Sequence, residues 1–214
     1  MATYVNNRIR PLLVMIGVAG SLFAQSLYPK HNLTIGFGAG LPGEDLARPF
    51  KGRPALSFAY GYRFQHYLQA DAGVDTVFGA ASIRAYMETV IGPTRIRDFQ
   101  FFIPVGGRVV LPLGRERFLI SAGGGGAYFH YTELLNQPSE EIHLACPVCN
   151  ARSGWGYYGL VGADLFLDRG RNFRLGATSK LYRGQTTGTE FGAVPGIRTQ
   201  DRWLQIFAHI GFSF

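Results

Sequence analysis

The sequence predicts an all-β fold: an antiparallel up-and-down β-barrel of about eight strands, preceded by a cleavable signal peptide. Three observations carry this prediction. Segments of about ten residues alternate apolar with small or polar side chains, the connectors between these segments are alternately long and short, and the chain is poor in charged residues. Because successive side chains of a strand point to opposite faces, each segment presents one apolar face.

The composition indicates that much of the surface does not face water. Charged residues make up 16% of the 214 residues, against roughly 25% in soluble domains. The chain also contains 29 glycines, 11 tyrosines and 17 phenylalanines, residue types that favour strands and close backbone contacts over helices. A chain of this length fits a single domain.

Residues 1–24 are expected to be a signal peptide that is cleaved after Ala24, which leaves residues 25–214 as the barrel domain. Arg8 and Arg10 precede the apolar run Pro11–Ala24, and a basic region followed by an apolar one is typical of export signals. The run is shorter than the roughly 20 residues of a spanning helix. No later run reaches that length, so any membrane span has to be built from strands.

The net charge does not point to nucleic acid as a partner. Removing Arg8 and Arg10 with the signal peptide lowers the formal net charge from +7 to +5. The remaining surplus comes without a Lys/Arg run or an RNA-binding signature. We therefore expect solvated loop charge, in part facing anionic lipid headgroups, and no nucleic-acid binding.

The connectors alternate strictly in length. Long connectors span residues 41–53, 79–97, 132–153 and 184–202, and short ones span residues 65–66, 114–117 and 168–171. Together they join eight strands. Transmembrane barrels have short turns at one end and long loops at the other, so we expect all the long connectors at the outer end.

The last predicted strand has the most regular pattern. Every second residue from Leu204 to Phe214 is apolar, and the chain ends on Phe214. Together with the signal peptide and the alternating segments, this ending resembles that of small Gram-negative outer-membrane β-barrel proteins of the OmpA/OmpX type. The resemblance covers about eight strands, from His31 to Phe214.

The resemblance implies where the protein acts and what it meets. It implies export through the periplasm, insertion in the outer membrane, and contact with outer-membrane lipid and lipopolysaccharide. In that family an ending such as Ile210, Phe212 and Phe214 is the signal read by the barrel-assembly machinery. The role it implies is structural, surface-interacting or adhesion-type, with the partner of the loops unidentified.

The strand faces opposite the apolar ones carry charges of both signs. These predicted lumen residues are Arg63, Asp71, Asp75, Arg108, Asp164, Arg174, Lys180 and His209. The interior of an eight-stranded barrel is just wide enough for side chains, so we favour a salt-bridge network that plugs the lumen over a narrow ion path. Counting along the strands predicts that Asp71 pairs with Arg108 and that Asp164 lies beside Arg174.

Two further patterns concern the strand surfaces. Several aromatic residues suit girdles at the two membrane interfaces: Tyr62, Phe64, Tyr67, Tyr128, Trp155, Tyr157 and Trp203. Pro104 lies in the middle of the fourth predicted strand, where it cannot donate a ladder hydrogen bond. We expect a β-bulge at Pro104.

Cys146 and Cys149 are the only cysteines and lie in the longest predicted outer loop. A redox site with this spacing needs a helix N-terminus in a βαβ unit, which the sequence does not predict. A zinc site needs about four ligands, and only His143 is nearby. We favour a disulfide that stiffens the loop, with a metal or redox role as the alternative.

No motif for a cofactor or for catalysis is convincing. Residues 38–43 match G-x-G-x-x-G, but Pro42 and Pro49 prevent a long helix and no acidic residue follows at the expected distance of about 20 residues. We interpret the match as coincidence in a glycine-rich strand. We therefore expect no cofactor, no metal ligands and no catalytic residues.

Two alternatives from other functional classes stay open. Some outer-membrane barrels modify lipid A with a His, a Ser and a carboxylate near the outer rim. His130 and Thr132 share a strand face there, and Glu133, Glu140 and Glu141 follow, but Thr stands in place of Ser. The other alternative is a soluble calycin-like ligand carrier, which would turn its apolar face inward.

Overall fold

The computed structural model describes residues 29–44, 52–79, 86–89, 92–114, 117–135, 148–188 and 198–214, with the backbone alone for residues 44, 86–89, 92–98, 133–135 and 148–151. Within these ranges the chain forms β1 (His31–Glu44), β2 (Arg53–Arg63), β3 (Leu68–Phe78), β4 (Tyr86–Thr89), β5 (Gly92–Leu113), β6 (Phe118–Leu135), β7 (Val148–Phe166), β8 (Phe173–Gly188) and β9 (Arg198–Ser213). No helix among the described residues is long and apolar enough to cross a membrane. The predicted signal peptide, residues 1–24, lies outside the described ranges.

Eight of these strands close into a barrel. β3, β2, β1, β9, β8, β7, β6 and β5 are hydrogen-bonded in that order, and a β3–β5 pairing joins the two ends. Every pairing is antiparallel. The short β4 lies outside this ring and pairs with the start of β5. The predicted all-β, closed antiparallel barrel of about eight strands is confirmed.

The seam between β1 and β9 completes the closure. The two strands pair from Asn32 opposite Ser213 to Glu44 opposite Asp201. At the end with the short turns, the His31 amide donates to the Phe214 carbonyl at 2.8 Å, and the Phe214 amide donates to the His31 carbonyl at 3.0 Å. The two rings also stack, with centroids 5.2 Å apart. The first and last barrel strands therefore leave no open edge between them.

The outer surface carries a band of exposed apolar side chains, here called the apolar belt. Each barrel strand contributes to it, through Ile35, Phe58, Val74, Val105, Ile120, Val161, Leu175 and Ile206 among others. Residues on the opposite strand faces are buried in the lumen, and β9 alternates in this way at every position from Asp201 to Ser213. An apolar surface on this scale requires a lipid environment.

Several strands continue into the predicted outer loops, so the predicted loop bounds are too wide. β5, β6 and β7 contain 22, 18 and 19 residues, about twice the 9–11 residues with which a tilted strand crosses a bilayer. The sheet therefore extends beyond the membrane at the end with the long loops. At that end the outward face carries exposed polar residues such as Arg183, Gln185 and Arg202, so the sequence has no apolar alternation to mark the strands there.

The expected β-bulge at Pro104 is wrong. β5 keeps one register with β6 across the whole strand, with Pro104 opposite Ala127. Its pairing with β3 is interrupted beside Pro104 but resumes in the same register, with Ala72 opposite Val105 and Asp75 opposite Phe102. Pro104 therefore removes one hydrogen bond from the ladder, because proline has no amide hydrogen, but it does not add the extra residue that defines a bulge.

The turn between β7 and β8 fixes where the first inward residue of β8 enters the barrel. The Asp168 carboxylate accepts hydrogen bonds from the amides of Phe173, at 2.8 Å, and Asn172, at 3.1 Å. The bond from Phe173 is the main cause that holds the pKa of Asp168 below its ordinary value. Arg171 adopts the left-handed conformation, with φ of 61°. Arg174 follows directly as a buried residue of β8.

Candidate functional site in the barrel lumen

The buried side chains on the lumen face of the described strands group into four tiers. The turn tier lies near the short turns and contains two charged clusters. The central tier is built on Asp75 and Lys180, the aromatic tier on Phe102 and Trp203, and the loop tier on Asp201. The predicted lumen charges fall in the first two tiers, and Arg63 is also buried, at 2% exposure.

The first cluster of the turn tier joins β3 and β5. Arg108 Nε donates to Asp71 Oδ2 at 2.6 Å, and Gln69 Nε2 donates to Asp71 Oδ1 at 2.7 Å. Arg108 lies directly opposite Gln69 in the ladder, one inward position away from Asp71. The contact is therefore a diagonal cross-strand pair between neighbouring strands.

The second cluster of the turn tier centres on Asp164. His209 Nε2 lies 2.7 Å from Asp164 Oδ1, and Arg174 Nε lies 3.6 Å from the same oxygen. The guanidinium of Arg174 also donates to Asn32 Oδ1 and to Thr34 Oγ1, each at 3.0 Å. The cluster therefore ties β7, β8, β9 and β1 together at one end of the barrel.

Two glycines make room for this cluster. Gly176 stands between Asp164 and His209 in the ladder. A Cβ at Gly176 would lie 2.6 Å from His209 Nε2 and 2.7 Å from Asp164 Oδ1, and a Cβ at Gly211 would lie 2.2 Å from Arg174 Nε. Charged side chains can therefore cross a neighbouring strand only because that strand has no side chain there.

The central tier holds an ion pair that crosses the lumen. Lys180 Nζ donates to both oxygens of Asp75, at 2.8 and 2.7 Å. Ser57 Oγ donates to Asp75 at 2.6 Å, and the Tyr182 hydroxyl donates to the same carboxylate. Asp75 is fully buried. Because β3 and β8 are not neighbours in the sheet, this pair bridges opposite walls of the barrel.

The aromatic tier packs against the central tier on the side of the long loops. The ring of Phe102 lies 4.9 Å from Tyr182, 5.3 Å from Phe129 and 5.8 Å from Trp203, measured between centroids. The Trp203 indole donates to the Tyr131 hydroxyl at 3.2 Å. These rings meet from β5, β6, β8 and β9, and their contacts are the offset and edge-to-face kinds that aromatic pairs prefer.

Trp203 corrects the predicted aromatic girdles. It is 0% exposed and faces the lumen, whereas Trp155 and Tyr157 are 74% and 59% exposed on the outer surface. Tyr62, Phe64 and Tyr67 are exposed near the short turns, and Tyr128 packs beside Trp155 with ring centroids 5.0 Å apart. The girdle assignment for Trp203 is wrong because Trp203 has the same parity as Gln205, on the inward face of β9.

The loop tier contains a carboxylate that sequence reasoning missed. Thr186 Oγ1 donates to Asp201 Oδ2 at 2.6 Å, and Thr199 Oγ1 donates to Asp201 Oδ1 at 2.7 Å. Arg152 in turn donates to Thr199 Oγ1. Asp201 has the same parity along β9 as Gln205 and His209, so extending the alternation of the last strand by two steps would have found it.

The remaining sequence candidates lie elsewhere. Cys146 is outside the described residues, and for Cys149 only the backbone is described. His130 and Thr132 share the outer face of β6, with Thr132 Oγ1 3.0 Å from His130 Nε2. No described carboxylate contacts His130, and its ring stacks near Tyr128. The described residues contain no group of three His, Cys, Asp or Glu side chains that could hold a metal ion.

Solved structures with the same fold are small surface barrels of bacteria. The chain is similar to Neisserial surface protein A, with a TM-score of 0.53 and 10% identity over 86% of this chain and 97% of that chain. Ail, the attachment invasion locus protein of Yersinia pestis, gives 0.52 and 12% over 88% and 100%. The outer membrane protein OprG from Pseudomonas aeruginosa gives 0.51 and 12% over 87% and 97%.

Sequence comparison adds no closer relationship. No protein-family model and no curated protein matches the chain. A second structure of Ail, in complex with the heparin analogue sucrose octasulfate, gives a TM-score of 0.53 at 12% identity over 88% of this chain and 100% of that chain. At these identities the comparisons establish the fold.

The closed barrel, its apolar belt and its polar lumen define the class of the protein. It is an integral outer-membrane β-barrel protein, located in the bacterial outer membrane. The alternative of a soluble calycin-like carrier is wrong, because residues such as Phe37 and Ile210 point outward at more than 60% exposure while Asp75 and Lys180 point inward. A soluble carrier has the opposite arrangement.

Replacing Arg108 with Ala should destabilise the barrel because it leaves the Asp71 carboxylate without its cation. Removing one member of a buried pair typically costs about 3 to 5 kcal/mol, and partial exposure of Arg108 places the expected loss at the low end. The measurement is the free energy of unfolding in urea, with the barrel folded into lipid vesicles. Adding Asp71→Ala should recover part of the loss.

Arg169→Ala provides the matched control, because it removes the same charge from an exposed turn. It should leave the free energy of unfolding nearly unchanged. If the loss in the Arg108→Ala, Asp71→Ala double variant equals the sum of the single losses, the two side chains do not stabilise each other, and the pair is of no energetic consequence.

Proposed function

We propose that the protein is a structural, surface-interaction barrel of adhesion type, whose lumen is plugged by its own side chains. The observation that carries the proposal is the Asp75–Lys180 pair. It joins opposite walls of the barrel, and the fully buried Asp75 accepts hydrogen bonds from Ser57, Lys180 and Tyr182. A conducting pore needs water along its axis, and a salt bridge between opposite walls opposes such a path.

The tiers on either side of this pair support the same proposal. Toward the short turns, Arg108 and Arg174 are neutralised by Asp71 and Asp164. Toward the long loops, the aromatic rings around Phe102 are fully buried. In a barrel filled in this way, contacts across the lumen hold the strands in place. The surface that can vary is then the end that carries the long loops.

The partners we propose are outer-membrane lipid and lipopolysaccharide at the barrel wall, and a surface partner at the loops. The apolar belt supports the first. For the second, Ail offers a parallel on the same fold, since it is an attachment protein and has been solved with the polyanion sucrose octasulfate. Arg183, Arg198 and Arg202 give the loop end of this chain an exposed basic surface.

Acyl hydrolysis at His130 and Thr132 is a weaker candidate. Their 3.0 Å contact is suitable for a base and a hydroxyl nucleophile. A working site also needs a group that orients the histidine, and no described carboxylate contacts His130. The outward position and the stacking with Tyr128 are those of an interfacial aromatic residue.

We further propose that Ile210, Phe212 and Phe214 form a signal for the barrel-assembly machinery. All three face outward at the end of β9, with exposures of 63%, 40% and 55%. They lie on β9, whose backbone edge stays unpaired until β1 pairs with it. The signal would therefore be available in the unclosed chain, when assembly has to recognise it.

The plugged lumen predicts no discrete conductance steps when the protein is reconstituted in a planar lipid bilayer. The physical reason is that ions would have to displace the Asp75–Lys180 pair and the aromatic tier together. A general porin under the same conditions serves as the positive control. Reproducible single-channel openings that disappear with Lys180→Met or Asp75→Asn would overturn the plug and favour the narrow ion path.

Replacing Phe214 with Asp should lower the amount of protein assembled in the outer membrane, as measured by fractionation and immunoblotting at modest expression. Phe64→Asp is the matched control, since Phe64 is exposed to a similar extent, 53% against 55%, at the same end of the barrel. The terminal variant should lose more assembled protein than the control. Equal levels of the two variants would show that the terminal position has no special role.

A further inference from the structure

The end of the barrel with the short turns carries a row of exposed basic side chains, here called the basic rim. It consists of Lys30, directly before β1, Arg117 in the turn between β5 and β6, and Arg169 in the turn between β7 and β8. All three side chains are exposed, and none belongs to the four tiers of the lumen. The basic rim lies at the opposite end of the barrel from the long loops.

Backbone hydrogen bonds place the three residues on one continuous arc. The amide of Phe166, the last residue of β7, donates to the Arg117 carbonyl at 2.8 Å, so Arg117 lies beside the turn that carries Arg169. The Ser213 amide of β9 donates to the Asn172 carbonyl of that same turn at 2.7 Å. The pairing of β9 with the start of β1 then brings in the residue that precedes β1. The arc therefore passes along the ends of β6, β7, β8, β9 and β1.

The acidic side chain on this arc is used to hold its own turn. Within the described residues of the short turns, Asp168 is the one carboxylate. It accepts hydrogen bonds from the backbone amides of Asn172 and Phe173, as described above. The basic rim therefore has a surplus of positive charge, even before Arg171 in the same turn is counted. A surface with this surplus attracts anions.

The basic rim borders the apolar belt directly. Arg117 comes immediately before Phe118, the first outward residue of β6, and Arg169 comes two residues after Leu167, which follows β7. Phe118 and Leu167 are 38% and 63% exposed on the outer surface. A strand rises about 3.3 Å per residue, so both guanidinium groups are within side-chain reach of the level where the belt ends. Long basic side chains at such a boundary extend their charged ends to the lipid headgroups.

We propose that the basic rim binds anionic glycerophospholipids of the leaflet at the short-turn end. The basic side chains attract the negative headgroups, and the acyl chains lie along the adjoining apolar belt. Continuity with the belt favours a lipid over a soluble polyanion, which would have no use for the exposed apolar neighbours. The attraction needs a net negative headgroup, so it adds little to barrel stability in zwitterionic vesicles. This assignment rests on the proposed function, since it requires a barrel embedded in a membrane.

The test measures binding of phosphatidylglycerol to the detergent-solubilised, folded barrel by native mass spectrometry. Phosphatidylcholine with the same acyl chains and glycerol phosphate, the headgroup without acyl chains, are the two comparison ligands. Arg117→Gln with Arg169→Gln is the test variant. Arg53→Gln with Arg198→Gln is the matched control, because it removes two exposed arginines at the other end of the barrel, where β2 and β9 begin.

We expect the Arg117→Gln, Arg169→Gln variant to raise the Kd for phosphatidylglycerol by at least about tenfold, and the control pair to leave it unchanged. Adding Lys30→Gln to the test variant should raise the Kd further. Phosphatidylcholine should bind the natural sequence as weakly as phosphatidylglycerol binds the test variant. Equal weakening in test and control variants, or equal affinity of the natural sequence for the two lipids, would overturn the basic rim. Binding of glycerol phosphate as tight as that of phosphatidylglycerol would overturn its assignment to a lipid.

A fold control separates failure of this site from failure of the proposed function. Each variant and the natural sequence should migrate faster on gels unheated than boiled, since a closed barrel resists detergent until heated. Folded, heat-modifiable protein without a preference for phosphatidylglycerol would refute the basic rim and leave the membrane barrel intact. A natural sequence that neither shows heat modifiability nor enters lipid vesicles would refute the proposed function itself.

Discussion

Backbone hydrogen bonding in lipid is the constraint from which the rest of this structure follows. Each amide and carbonyl inside the bilayer needs a protein partner, and a sheet satisfies that need only when it closes. The pairing of β1 with β9, completed by the His31 and Phe214 backbone groups, provides the closure. Once the ring is closed, alternate residues face either lipid or the lumen. Apolar side chains therefore occupy the outer face, and charged, polar and aromatic side chains occupy the inner face.

The lumen is where this constraint produces a specific architecture. An interior of this size has to be filled by side chains, and charged ones need partners inside it. The Asp75–Lys180 pair meets that need by bridging opposite walls, and Asp164 on β7 meets it by contacting Arg174 on β8 and His209 on β9. Glycines such as Gly176 are as important as the charges, because a side chain there would occupy the space of the contact.

The sequence was informative wherever one strand face meets lipid. Regular alternation in β9 predicted the barrel and its terminal strand, and counting along β3 and β5 placed Asp71 level with Arg108. Prediction failed toward the long loops, where the outward face of β9 carries Gln200 and Arg202 instead of apolar residues. The strand there resembles a loop in sequence, so Asp201 and Trp203 are not predicted in the lumen. Contacts across the lumen, such as the one between Asp75 and Lys180, depend on barrel closure, which no single strand encodes.

The two tryptophans offer the most direct test of the account, because Trp203 is fully buried in the lumen and Trp155 is 74% exposed to the outside. Single-tryptophan variants, Trp155→Phe and Trp203→Phe, would be reconstituted in vesicles containing lipid brominated in the upper acyl chain, and their fluorescence quenching compared. The variant that retains Trp155 should be strongly quenched, and the variant that retains Trp203 should be nearly unaffected. Equal quenching of both, or stronger quenching of Trp203, would contradict a barrel with its apolar face outward and its lumen packed.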